Sequence, residues 1–137
     1  MLAELREIDV PAGGRRERLG IVNARDEDLV TLNMPARIWA GIDAGVDNAV
    51  STAAQNGDEA TVEVGQRIRQ AGWDQVTWVD GDWPPMDQMI SIRLTVAEWR
   101  FAVDDARNSV PIYEELGDEM SAQLGRDALA VIDGVDR

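Results

Sequence analysis

Apolar positions along this chain change period several times and then change again in the same order sixty residues later. Val30, Leu32 and Met34 alternate with polar neighbours, which predicts a strand over Leu29–Met34. Behind Pro35, a residue suited to a first helical turn, Ile38, Ile42, Val46, Val50 and Ala53 recur at helical spacing, and Trp39 widens the stripe. Asn56-Gly57 ends this helix, because glycine accepts the left-handed backbone of a helix terminus. Asp58 caps the next one, Glu59 adds negative charge at its positive end, and its stripe is Ala60, Val64, Ile68 and Ala71, closed by Gly72.

The second pass starts with Val76, Trp78 and Val79 as a strand and Met86–Leu94 as its partner. Thr95 with Glu98 is a capping-box signature, and the helix behind it shows Val96, Trp99, Val103, Ala106 and Val110 on one face. Pro111 removes a helical hydrogen bond and predicts a kink or break near 108–111, followed by a turn around Ile112, Tyr113 and Leu116. Asp118 caps the last helix, with the stripe Met120, Leu124, Ala128 and Val131.

At the fixed offset of sixty residues Trp39, Asn48, Val50, Gly57-Asp58-Glu59 and Gly65 meet Trp99, Asn108, Val110, Gly117-Asp118-Glu119 and Gly125. A gapless match that includes a triplet and an alternating strand argues for internal duplication. Ahead of the first copy, residues 4–10 predict a short strand, 12–18 a glycine turn with three arginines at its tip, and Leu19–Asn23 a further strand. The expected fold is therefore one α+β domain over 1–137, with an N-terminal strand and turn (1–18) and strand-strand-helix-helix repeats at 19–72 and 73–134. An isolated hairpin is marginal, so the repeats should pair about a pseudo-twofold axis into a four- or five-stranded antiparallel sheet with helices on one face. Gly65 and Gly125, each beside an apolar stripe, predict close helix approach.

Composition narrows the function. A 45% hydrophobic fraction fits a folded domain. With 26 acidic and 13 basic residues the net charge is −13, which repels phosphate backbones and anionic lipid and favours encounter with basic partners. No apolar run reaches the roughly 18–20 residues of a membrane span, and the start lacks the order of a signal peptide, so a cytoplasmic protein is expected. Cys, His and Lys are absent, and every basic residue is Arg. That removes thiolate and zinc sites, serine–histidine relays, Schiff bases and lysine phosphate loops.

Carboxylates are what remain. Asp43 and Asp47 lie one helical turn apart on a face where solvated charge is expected. Asp104 and Asp105 are splayed by about 100° on a helix, and Asp104 reads as an i,i+4 partner of Arg100. Asp80, Asp82 and Asp87 surround a loop but lack the glutamate and glycine of a Ca²⁺-binding EF-hand. Trp83 lies between Asp82 and Pro84-Pro85, in the one connection that is longer than its counterpart. Loops carry function and Trp is enriched at binding hot spots; against this, Trp83 folding back over the sheet as a lid on the core is the favoured reading.

The reading is a non-enzymatic acidic module that binds another protein, a basic one for choice, as adaptors, antitoxins and immunity proteins do. No catalytic residue, metal ligand or cofactor is assigned. The binding residues expected are Asp80, Asp82, Trp83, Asp87, Glu114, Glu115, Asp118 and Glu119. The alternative is a small-ligand or divalent-metal domain with a cleft between the repeats. A homodimer joined through a strand edge is the third reading.

Overall fold

The computed structural model describes residues 7–10, 25–76 and 81–132. Its elements are β1 (Glu7–Val10), β2 (Leu29–Pro35), α1 (Ala36–Gln55), α2 (Glu59–Gln75), β3 (Met89–Thr95), α3 (Val96–Leu116) and α4 (Glu119–Ile132). The class is α+β, as expected. The sheet is not the expected one. Among the described residues it has three strands in the order β1-β2-β3; β1 runs parallel to β2, and only β2 and β3 form an antiparallel pair.

The four- or five-stranded sheet of paired strand-strand-helix-helix units is thereby overturned. The residues directly before β2 and β3, at 25–28 and 83–88, are loops, and their carbonyls serve as helix caps. The first N–H groups of α1, on Ala36 and Arg37, donate to Gln88 O and Met86 O at 2.8 and 2.9 Å. Those of α3, on Val96 and Ala97, donate to Asp28 O and Asp26 O at 2.9 and 3.0 Å. Each half thus caps the other's first helix, satisfying donors that no residue within the helix can reach. Beyond β3, at Arg93, the edge is met by a side chain: the Gln75 carboxamide accepts from Arg93 N at 2.7 Å and donates to Arg93 O at 2.9 Å. The expected strands at Leu19–Asn23 and 77–79, and the arginine tip at 12–18, lie outside the described residues.

The antiparallel register places Leu32 opposite Ile92, and the remaining pairs fan out symmetrically from there to Leu29–Thr95 and Pro35–Met89. Val30, Leu32, Met34, Ile92 and Leu94 are buried on one face. Against them pack Trp39 and Trp99, both fully buried, edge to face with centroids 6.3 Å apart. Trp99 Nε1 donates to Val30 O at 2.9 Å. Gly72 seats the Trp39 ring, since a Cβ there would overlap the indole, and α2 runs past it to Gln75 rather than ending.

Both helix–helix corners use one construction. Gly57 and Gly117 take φ of 74° and 76°, and the N–H groups of Asp58 and Asp118 reach back to Ala53 O and Tyr113 O, each at 2.9 Å. Asp58 then accepts from Thr61 N and Oγ1, and Asp118 from Ser121 N and Oγ. These bonds, side chain first and backbone second, hold both carboxyls below the usual carboxylate range. The capping box at Thr95 and Glu98 forms as expected.

Three further expectations need correction. Pro111 does not break α3, which is continuous to Leu116; the turn assigned to 112–116 is its last turn. Arg100 pairs with Asp26 at 2.7 Å, reaching the loop that caps its own helix, and not with Asp104. Asp43 and Asp47 are not merely solvated: Arg69 of α2 bonds Asp43 at 3.1 Å and Asp47 at 2.9 Å, and Asp43 is buried. The Asp43 hydrogen bond raises the Arg69 pKa against the opposing effect of burial, and the charges of both acids assist.

Gly65 and Gly125 mark close helix approach. A Cβ on Gly65 would overlap Val50, and one on Gly125 would come within 2.5 Å of a Val110 methyl. Gly65→Ala should therefore destabilise by about 1–2 kcal/mol despite alanine's better helix propensity, as read from the urea midpoint. Arg69→Met leaves Asp43 buried without its cation and should cost about 2–3 kcal/mol, whereas Asp43→Leu/Arg69→Met should recover most of the loss.

Candidate functional site

Two places depart from the correspondence between the halves, and both involve α3 and α4. The first is their corner. Ile112, Leu116 and Met120 are 56%, 74% and 84% exposed, the three most exposed large apolar side chains among the described residues. Met120 was expected in a core stripe; it points outward because Ser121 and Asp118 form the cap and Ala122, one residue further, takes the buried place. At the first corner the same positions hold Thr52, Asn56 and Ala60. The second corner is apolar where the first is polar or small.

Around it stand four of the expected binding residues, each exposed: Glu114, Glu115, Asp118 and Glu119. Asp118 is committed to its cap, and Glu114 and Glu119 both bond Arg126, the former at 2.6 Å. Alongside lies a shallow groove lined by Arg37, Glu119, Met120 and Gln123. Arg37 N in turn bonds Met86 O, so the α4 start and the loop before β3 flank one arginine. In that loop Asp82 and Asp87 are exposed. Trp83 is half-buried, packs against the core, and stacks at a tilt on Trp73 with centroids 6.2 Å apart. Asp80 lies outside the described residues. Among the described residues no three acidic side chains gather closely enough to hold a metal ion.

The second departure is a cavity of about 120 Å³ where α1, α3 and α4 meet. Its α1 wall is Gly41, Ala44 and Gly45, where α3, sixty residues on, carries Phe101, Asp104 and Asp105. Leu124 of α4 fills the space over Gly41, its Cδ2 2.6 Å from where a Cβ would stand, and Asp105 Oδ2 lies 2.6 Å from the Cβ position of Gly45. Ala106, Ser109 and Tyr113 continue the α3 wall. Asp105 has no hydrogen-bond or ion-pair partner among the described residues. Burial without compensation raises its pKa to about 6.

Sequence reasoning passed over Asp105 by treating it as half of an adjacent acidic pair. The available signal was its face: Ala102, Asp105, Ala106, Ser109 and Tyr113 recur at helical spacing, opposite glycines spaced i,i+4.

The raised pKa sets a pH dependence. An acid that binds its proton more tightly when folded stabilises the fold below its unfolded pKa of 3.8, and loses that contribution as pH rises towards about 6. Asp105→Asn should match wild type near pH 4 and be more stable at pH 7.5. Two pKa units correspond to about 3 kcal/mol, which solvent screening at this partly exposed group reduces to about 1 kcal/mol. Paired urea titrations at the two pH values read the difference. Asp58 and Asp118 act oppositely: their lowered pKa values stabilise above the unfolded value, and that contribution is lost as pH falls.

No protein-family model, no curated protein and no solved structure matches this chain.

Proposed function

We propose that this protein is a non-enzymatic binding module that docks a basic partner protein on the α3–α4 corner. One observation carries the reading: Ile112, Leu116 and Met120 stand exposed at a corner whose counterpart carries Thr52, Asn56 and Ala60. Large apolar side chains standing clear of the core in this way are the kind of surface that partners cover. Glu114, Glu115, Asp118 and Glu119 form an acidic rim, with Arg126 as the cation among them, and a partner with arginines or lysines around an apolar centre suits it. A second copy of this chain suits it poorly, because each copy brings a charge of −13.

Loop acids Asp82 and Asp87 belong to this reading as a flank that steers the partner. Trp83, engaged with Trp73 and the core, supports the loop rather than offering an anchor. The same reading places the protein in the cytoplasm; among the described residues no helix is long and apolar enough to cross a membrane.

The test is affinity capture from the native cell extract with wild type beside Leu116→Ser/Met120→Ser. Both side chains are solvent-exposed, so the double variant should unfold within about 0.5 kcal/mol of wild type. The expected result is one stoichiometric basic protein, bound by wild type and at least tenfold weaker with the variant. A partner retained by the variant, an acidic partner, or an empty wild-type lane contradicts the proposal.

A further inference from the structure

We propose that the cavity between α1, α3 and α4 binds a small organic ammonium ion, its charge against the Asp105 carboxylate and its apolar body against Ala44, Ala106 and Leu124 of the lining. This site is separate from the corner surface and does not depend on that reading.

The argument starts from a carboxylate that folding has removed from much of its water without giving it a partner among the described residues. An uncompensated buried charge is costly, and either a proton or a cation relieves it. Position and shape favour a cation with an apolar body. The walls are chiefly glycine, alanine and Leu124, and α1 and α4 contribute no charged side chain to them. Among the described residues, Asp105 and Tyr113, both on α3, are the only titratable groups in the lining. Tyr113 adds an aromatic ring whose face attracts ammonium groups.

A divalent metal ion fits less well. Calcium takes about six to eight oxygen ligands and magnesium six, while this lining offers one carboxylate and the hydroxyls of Ser109, Tyr113 and Ser121, the last already bonded to Asp118. The volume of about 120 Å³ is close to the roughly 150 Å³ of an engineered cavity that holds benzene, which sets the ligand at a few carbon atoms beside its nitrogen. The net charge of −13 raises the local concentration of any cation.

The cavity also explains what α1 is doing with two glycines one turn apart. Side chains at Gly41 and Gly45 would collide with Leu124 and Asp105 respectively, so the glycines keep the carboxylate inside the cleft rather than displaced from it.

Titration of n-butylammonium chloride, followed through the backbone amide signals of Gly41, Gly45 and Leu124, tests the proposal, with n-butanol and Ca²⁺ as controls. At pH 7.5 the ammonium ion should shift these signals and saturate with a dissociation constant of about 1–10 mM. At pH 4.5, where Asp105 carries its own proton, and in Asp105→Asn at either pH, binding should be at least tenfold weaker. Asp105→Asn removes a partly buried charge and should remain folded. Butanol should bind without pH dependence or not at all. Leu116→Ser/Met120→Ser should bind butylammonium like wild type, whatever becomes of the partner protein. Absence of shifts at pH 7.5 overturns the site. Equal affinity in Asp105→Asn, equal response to butanol, or tighter binding of Ca²⁺ overturns the assigned ligand class.

Discussion

Two indoles meet at the centre of this molecule, and the rest of the fold depends on the pairing that brings them there. Leu32 faces Ile92 across the antiparallel ladder, so the two strands pair symmetrically about that point. The same relation puts Trp39 against Trp99 and sends the first N–H groups of each long helix to the loop before the other half's strand. Neither half holds enough structure alone. A strand without its partner has an open ladder, and α1 or α3 without the opposite loop has uncapped donors in its first turn. The symmetry is incomplete even here. Trp99 Nε1 donates to Val30 O, while Trp39 Nε1, equally buried and lying against Gly72, has no acceptor among the described residues. Leaving such a donor unmet costs about 1–3 kcal/mol, and a side chain retained at that cost is there for its packing.

Where the halves agree, their residues are structural; where they differ, chemistry becomes possible. Asp58 and Asp118, Gly65 and Gly125, and the left-handed glycines of both corners do the same work twice. Gly41 and Gly45 stand where the other half carries Phe101 and Asp105, and they line the cavity. Threonine, asparagine and alanine at one corner against isoleucine, leucine and methionine at the other produce the exposed apolar surface. Both features lie on the α3–α4 side, which concentrates the candidate chemistry in one part of the molecule.

Much of the local structure is legible in the sequence. The capping box at Thr95 and Glu98, the caps at Asp58 and Asp118, the alternation from Val30 to Met34 and the close approach at Gly65 all follow from short-range rules that the structure obeys. Failures arose where a remote partner decided the outcome. Short-range pattern cannot show that the loops at 26–28 and 86–88 would serve as caps across the molecule, nor that Gln75 would meet β3 at Arg93. Pro111 passes inside α3 because a helix anchored at both ends, by the capping box and by the Gly117 turn, tolerates one missing bond. Of the expected site, Glu114, Glu115, Asp118 and Glu119 gather at one corner and Asp82 and Asp87 lie in the loop before β3, while Trp83 turned inward. The face that carries Asp105 is legible in the sequence, but the cavity it lines is not, because its neighbours across that cavity come from α1 and α4, far away in sequence.

Interdependence of the halves is tested most directly by cutting the chain after Gly81 and measuring residues 1–81 and 82–137 separately and mixed, by far-UV circular dichroism and tryptophan fluorescence. Each fragment alone should lack a cooperative unfolding transition, and mixing them should restore helix content, buried indole emission and one shared transition. Either fragment folding cooperatively by itself would contradict the account, because the crossed caps and the shared tryptophan pair would then not be what holds the structure together.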